Sequence, residues 1–215
     1  MNRSWRVDAA VVAGLVLLAF VPVLAGSVRL ATLAAGAEVT LATARFVTAP
    51  VPVVVHIVSV TIYALLGAFQ FAAGIRRKHP AWHRRAGRVL VGAGIAAALS
   101  GLWMAQFYAI VPADHPLLHV FRMAAGSAML ASILIGFAAI RRGDVGTHQD
   151  WMRRAYAIGM GAGTQVFVIL PPTLLLGQQE PLAFALEMGL AWAINIAVAE
   201  WLIARRRRPP KAVIA

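Results

Sequence analysis

No cysteine occurs among the 215 residues, which excludes disulfides, thiolate-held metals and iron–sulfur clusters. Charge is scarce as well, with only 13% of residues Asp, Glu, Lys or Arg. Neither a G-x-x-x-x-G-K nor a G-x-G-x-x-G loop is present, so no backbone cradle for nucleotide phosphates is encoded. No internal repeat is visible, and the apolar segments leave too little chain for a separate soluble domain.

What the chain has in abundance is apolar residue runs. Hydrophobic residues make up 60% and the mean hydropathy is +0.76. Runs of about 20 apolar residues recur, the length an α-helix needs to cross the hydrocarbon core. Polar and proline punctuation predicts six spans, at 8–28, 51–74, 89–111, 117–140, 154–176 and 182–204. The expected fold is therefore an all-α integral membrane bundle of six transmembrane helices, with spans two to five forming a four-helix core. Along the chain this divides into 1–50 (first helix and an interfacial segment), 51–205 (the remaining five helices) and 206–215 (a basic tail). The polar stretch from Arg29 to Pro50 predicts an interfacial helix or ordered loop. The long apolar stretch of span one predicts a retained helix rather than a signal peptide cleaved near Ala25 or Ala37.

Of the 20 basic residues, 17 fall before span one, between spans two and three, between four and five, or after span six. Arg29 and Arg45 lie at the opposite ends of the spans, and Arg122 lies within span four. An excess of Lys and Arg marks the cytoplasmic side, so both termini are expected there, in a plasma membrane. The net charge of +12 reports this topology; the Arg205–Arg208 run reads as a stop-transfer tail beside anionic lipid and not as a nucleic-acid contact. The partners it implies are membrane lipids, and association with further copies of the chain is left open.

Histidine placement carries the chemistry. With short connections, an up-and-down square puts span two diagonally opposite four and three opposite five. His56 and His119 then lie at similar depth near the outer ends of spans two and four, and His83 and His148 match one another near the inner headgroup level. A polar imidazole in lipid is costly, so such residues begin as site candidates. Singly, His56 also reads as a helix-packing residue and His119 as an interfacial one; His79 and His115 read as solvated loop residues. Small and polar residues line the same faces: His56, Ser59, Tyr63, Gly67, Gln70 and Gly74 on span two, and His119, Arg122, Gly126 and Ile133 on span four. Arg122 requires an anionic partner, which a haem propionate or Glu187 supplies. Two imidazoles on facing helices suit bis-histidine ligation of haem b, whereas zinc requires more ligands. The expected cofactor sites are one haem at His56 and His119 with Arg122, and a second, less secure one at His83 and His148 with Arg84, Arg88 and Arg154. Two alternatives stand beside this: a transporter or small-molecule-binding protein using Arg122, Glu187, Gln165 and Asn195 at the midplane, and a structural membrane protein without chemistry.

Several local patterns resemble a known family. Gln70-Phe71, His83-Arg84 with Gly87-Arg88, His148 followed by Trp151-Met152-Arg153-Arg154-Ala155-Tyr156-Ala157, and Asn195 leading to Ala199-Glu200 resemble the signature of a bacterial multi-pass membrane family, domain of unknown function 2306. The similarity covers about residues 50 to 205 and implies no activity. The family often carries an arginine shortly before the proline of span five, where this chain has Phe167 before Pro171, and His119 matches none of the motif positions. In topology and histidine spacing the chain is also similar to cytochrome b561-type proteins, with His56, His83, His119 and His148 taking the four positions in order. That similarity implies transmembrane electron transfer from an anionic cytoplasmic donor drawn to the basic loops.

The arginine distribution makes the topology testable. Single cysteines at Lys78, Gly143 and the C-terminus are expected to resist a membrane-impermeant thiol reagent in intact cells while one at Ala113 reacts. The reverse labelling pattern would invert the assignment.

Overall fold

In the computed structural model, residues 3–110, 115–177 and 180–208 are described. Ala113 and residues 209–215 of the basic tail, used in the sequence reading, lie outside the described residues. The chain forms α1 (Arg3–Ala34), a short α2 (Ala44–Thr48), α3 (Pro50–Ala68) ending in a 3₁₀ turn (Phe69–Phe71), a short α4 (Ala73–Lys78), α5 (Pro80–Phe107), α6 (Pro116–Arg141), α7 (Val145–Gly159), α8 (Gly161–Leu176) and α9 (Pro181–Arg207). Among the described residues, six helical segments are long and apolar enough to cross a membrane, with α7 and α8 together forming the fifth. Proline stands in the first turn of α3, α5, α6 and α9, where its missing N–H costs nothing and its fixed φ favours the helix.

Two expected boundaries move. Span five starts at Val145, not near residue 154, because Asp150 and Arg154 pair with Arg206, Arg207 and Glu200 of α9, and span three starts at Pro80, not near residue 89. His83 and His148 therefore stand in the first turns of their helices. The stretch after residue 28 continues α1 to Ala34 and supplies α2, which agrees with an ordered segment at that end.

Spans two to five form the four-helix core. α3 packs on α5, α5 on α6, α6 on α7, and α7 returns to α3, so α3 and α6 face each other across a diagonal. α1 lies against α3 and α8, and α9 against α6, α7 and α8. The buried centre is Tyr63, Leu90, Ala97, Ala98, Met129, Ile133, Ala155, Tyr156 and Ile158. Tyr156 donates to the Ala64 carbonyl at 2.8 Å, stacks at 5.8 Å from Tyr63, and occupies the space left by Gly67. These contacts close the half of the bundle nearest the termini.

The fifth span breaks at Met160 (φ −81°, ψ 0°) between Gly159 and Gly161. Beyond the break α8 leaves the square and sides with α1 and α9. Gly161 admits the Trp192 ring and Gly163 meets the Leu18 carbonyl, contacts a Cβ would obstruct at either position. The Leu18 approach has a cause in α1: Pro22 has no N–H, so the helix leaves the carbonyl four residues earlier without its usual donor.

Polar pins fix the arginine-rich end. Asp150, 1% exposed, receives Arg206 at 2.8 Å and Arg207 at 2.8 and 3.0 Å, with Arg153 at 3.4 Å, and so ties α7 to the end of α9. Arg154 grips Glu200 through two hydrogen bonds of 2.5 and 2.9 Å and lies 4.6 Å over Trp151. Asp8 of α1 accepts from the Ala73 and Gly74 N–H groups that begin α4. Asp144 caps α7 through Thr147 N–H at 2.9 Å, and those hydrogen bonds hold its carboxyl below the usual range.

If close approach of α8 to α1 shapes the bundle, Gly163→Val is expected to cost about 1–3 kcal/mol, the range for overpacking. Gly14→Ala, with nothing within 4 Å of the added Cβ, is expected to be neutral or slightly stabilising. Denaturant titration in detergent micelles distinguishes them; equal stability of the two variants would contradict this packing.

Candidate functional site

The departure of α8 leaves a cavity of about 620 Å³ in the half of the bundle away from the termini. This volume lies within the range of about 300–1,000 Å³ typical of small-molecule and cofactor sites. α1 contributes Ala19, Pro22, Val23 and Gly26; α3 contributes His56, Ile57, Val60, Thr61 and Ala64; α5 contributes Ala97, Ala98, Gly101, Met104 and Ala105. His119, Arg122, Ala125, Gly126 and Met129 of α6 face them, with Gln165 of α8 and Met188 and Trp192 of α9 completing the wall. The space exists because its walls are built of alanine and glycine, with flexible methionine at several edges.

His56 and His119, predicted as a pair, both line this one cavity. His56 Nδ1–H donates to the Ala97 carbonyl at 3.0 Å and lies 3.2 Å from Ser100 Oγ; His119 Nδ1–H donates to the Ala105 carbonyl at 3.0 Å. A carbonyl only accepts, so in each neutral ring the proton sits on Nδ1 and the free electron pair on Nε2. Both acceptors belong to α5, which stands between α3 and α6 and so sets both ring orientations. Hydrogen bonding of Nδ1 to a carbonyl is the arrangement that orients metal-ligating histidines. Gly101 lets the His56 ring lie against α5, since a Cβ there would stand 3.2 Å from Cε1.

Arg45 and Arg122 also line the cavity and both make further contacts within the fold. Phe46 carries Arg29 at 4.7 Å and Arg45 at 5.0 Å from its centroid, gathering the cations of this end. Among the described lining residues there is no carboxylate. The walls thus combine apolar surface with two guanidinium groups and three imidazoles, a composition suited to an amphipathic anion. Tyr108 donates to the Ala49 carbonyl at 2.7 Å, and burial raises its phenol above the ordinary value, so it stays protonated as a donor at the rim.

The remaining expected site residues are elsewhere. His83 and His148 lie near each other at the arginine-rich end, and neither lines the cavity. Arg84 and Arg88 are exposed on the first turns of α5, and Arg154 is committed to Glu200. Of the four residues of the alternative midplane site, Arg122 and Gln165 line the cavity. Asn195 is a structural pin, donating to the Ala157 carbonyl at 3.0 Å and accepting from Thr164 at 2.7 Å. Gln165 Nε2 and Glu187 Oε2 are buried without a hydrogen-bond partner. Among the described residues, no group of three or more His, Cys, Asp or Glu is placed to hold a metal ion.

Sequence reading missed three contributors. His115, expected to be a solvated loop residue, accepts from Leu117 N–H at 3.1 Å to cap α6 and lines the cavity. Its position directly before Pro116 was the available signal. Arg45 reaches the cavity from α2, and Asp150 anchors the opposite end. Neither carried a spacing motif.

No curated protein and no solved structure matches the chain. A family model does, over residues 53–203, with the description "Predicted membrane protein (DUF2306)". That segment holds His56, His119, Arg122 and both halves of the broken fifth span, while α1 and Arg45 precede it. The chain is a multi-pass membrane protein that belongs to the DUF2306 family.

Proposed function

We propose that the cavity holds a b-type haem between His56 and His119, and that the protein carries electrons at the membrane face away from its termini. The observation that carries this reading is the shared cavity of two imidazoles whose Nδ1–H groups are both fixed on carbonyls of α5, which leaves two Nε2 electron pairs for one iron. Two neutral nitrogen ligands are one of the sets by which proteins hold haem iron. A haem supplies a one-electron couple when bound. The chain supplies the axial ligands, an apolar enclosure that keeps water from them, and Arg122 and Arg45 as partners for the propionates. The arginine-rich face is assigned to the cytoplasm by the positive-inside rule, which puts this site toward the outer surface.

A second reading is supported by Gln165, whose Nε2 is buried without a partner while the residue lines the cavity. In that reading the same walls bind an apolar carboxylate or phosphate, with Gln165 donating alongside Arg122, and no metal is involved.

Protein purified from haem-replete cells is expected to show b-type bands in the dithionite-reduced minus oxidised spectrum. His56→Ala and His119→Ala are each expected to remove them, and Arg122→Leu to weaken haem retention while leaving the band positions unchanged. A folded, colourless protein would overturn the haem reading and favour the amphipathic-anion site.

A further inference from the structure

The arginine-rich end has a surplus of positive charge that its own acids do not meet. Each of the four described carboxylates there is already engaged: Asp8 with the start of α4, Asp144 with Thr147, Asp150 with Arg206 and Arg207, and Glu200 with Arg154. The surplus concentrates where α5 and α7 stand on a diagonal of the bundle. His83, in the first turn of α5, lies within electrostatic reach of Arg76 on α4, of its neighbour Arg84 and of His148 in the first turn of α7. Arg153 is within reach of Arg76 in turn.

The two imidazoles differ in a way that points to a ligand. His148 Nδ1–H is tied to the Gly136 carbonyl at 2.9 Å, which fixes its ring against α6. His83 Nδ1 is buried and has no hydrogen-bond partner. With its proton on Nδ1, His83 is a buried donor without an acceptor, which is costly, so a group that accepts from it while neutralising Arg76 and Arg84 stabilises the whole cluster. Donors on three side chains of α4 and α5 fit a tetrahedral oxyanion with several acceptor oxygens better than a planar carboxylate with two.

We propose that His83, Arg76 and Arg84, beside His148, form a binding site for a phosphate oxyanion, presented as a phospholipid headgroup or as the free ion. The first turns of α5 and α7 stand at the ends of membrane-crossing segments, the level of lipid phosphates, and the cavity with His56 and His119 plays no part in it.

The test is native mass spectrometry of the full-length protein in detergent, with phosphatidylglycerol, phosphatidylcholine or inorganic phosphate added. One phosphatidylglycerol is expected to be retained, with affinity about tenfold lower in His83→Ala and in Arg76→Gln, the effect of one charge-assisted hydrogen bond. Arg76 is exposed, so its variant repeats the test without disturbing the core. Arg208→Gln, which removes a charge from the exposed end of α9, is expected to bind as the parent does. Retention of phosphatidylglycerol against excess inorganic phosphate identifies a lipid site; displacement by inorganic phosphate at comparable concentration identifies a site for the free ion. Either outcome supports the oxyanion site. Equal retention of phosphatidylcholine, no retention of any phosphate compound, or equal weakening by Arg208→Gln overturns it.

Discussion

The break of the fifth span at Met160 is the constraint on which the rest of the architecture depends. On one side of it Tyr156 fits against Gly67, hydrogen-bonds the Ala64 carbonyl and packs on Tyr63, so α7 completes the four-helix square. On the other side Gly161 and Gly163 bring α8 against Trp192 and the Leu18 carbonyl, which draws it toward α9 and α1. Four helices then cannot fill the space, and walls of alanine and glycine leave it open.

Charge is divided between the two ends in a related manner. At the arginine-rich end, acids and cations pair across helices, and Asp150 is the centre of that network. Around the cavity, Arg45 and Arg122 line the walls and both make further contacts within the fold. The same device orients histidines at both ends: His56, His119 and His148 each give Nδ1–H to a helix carbonyl, and in each case the Nε2 electron pair is left free.

Much of this was legible in the sequence, and the reasons differ for what was not. The six spans follow from apolar run length. The inward faces of spans two and four follow from the helical repeat of Ser59, Tyr63 and Gly67, all buried, and of Arg122, Gly126 and Ile133. The placing of His56 with His119 followed from matched depth in a square of antiparallel neighbours. The start of span five was displaced because hydropathy registers the charge of Asp150, Arg153 and Arg154 without their pairing. The break at Met160 was hidden because Gly-x-Gly reads as close packing as readily as interruption. His115 and Arg45 were missed because their roles come from the approach of distant segments, which local spacing does not encode.

The central claim is that one ligand spans the cavity between His56 and His119, and an experimental density map of the purified protein tests it most directly. The account predicts flat density joined to both Nε2 atoms, with its acidic edge toward Arg122. Chain-like density that passes between the imidazoles without joining them, or rings of His56 and His119 turned to opposite sides of the cavity, would contradict it.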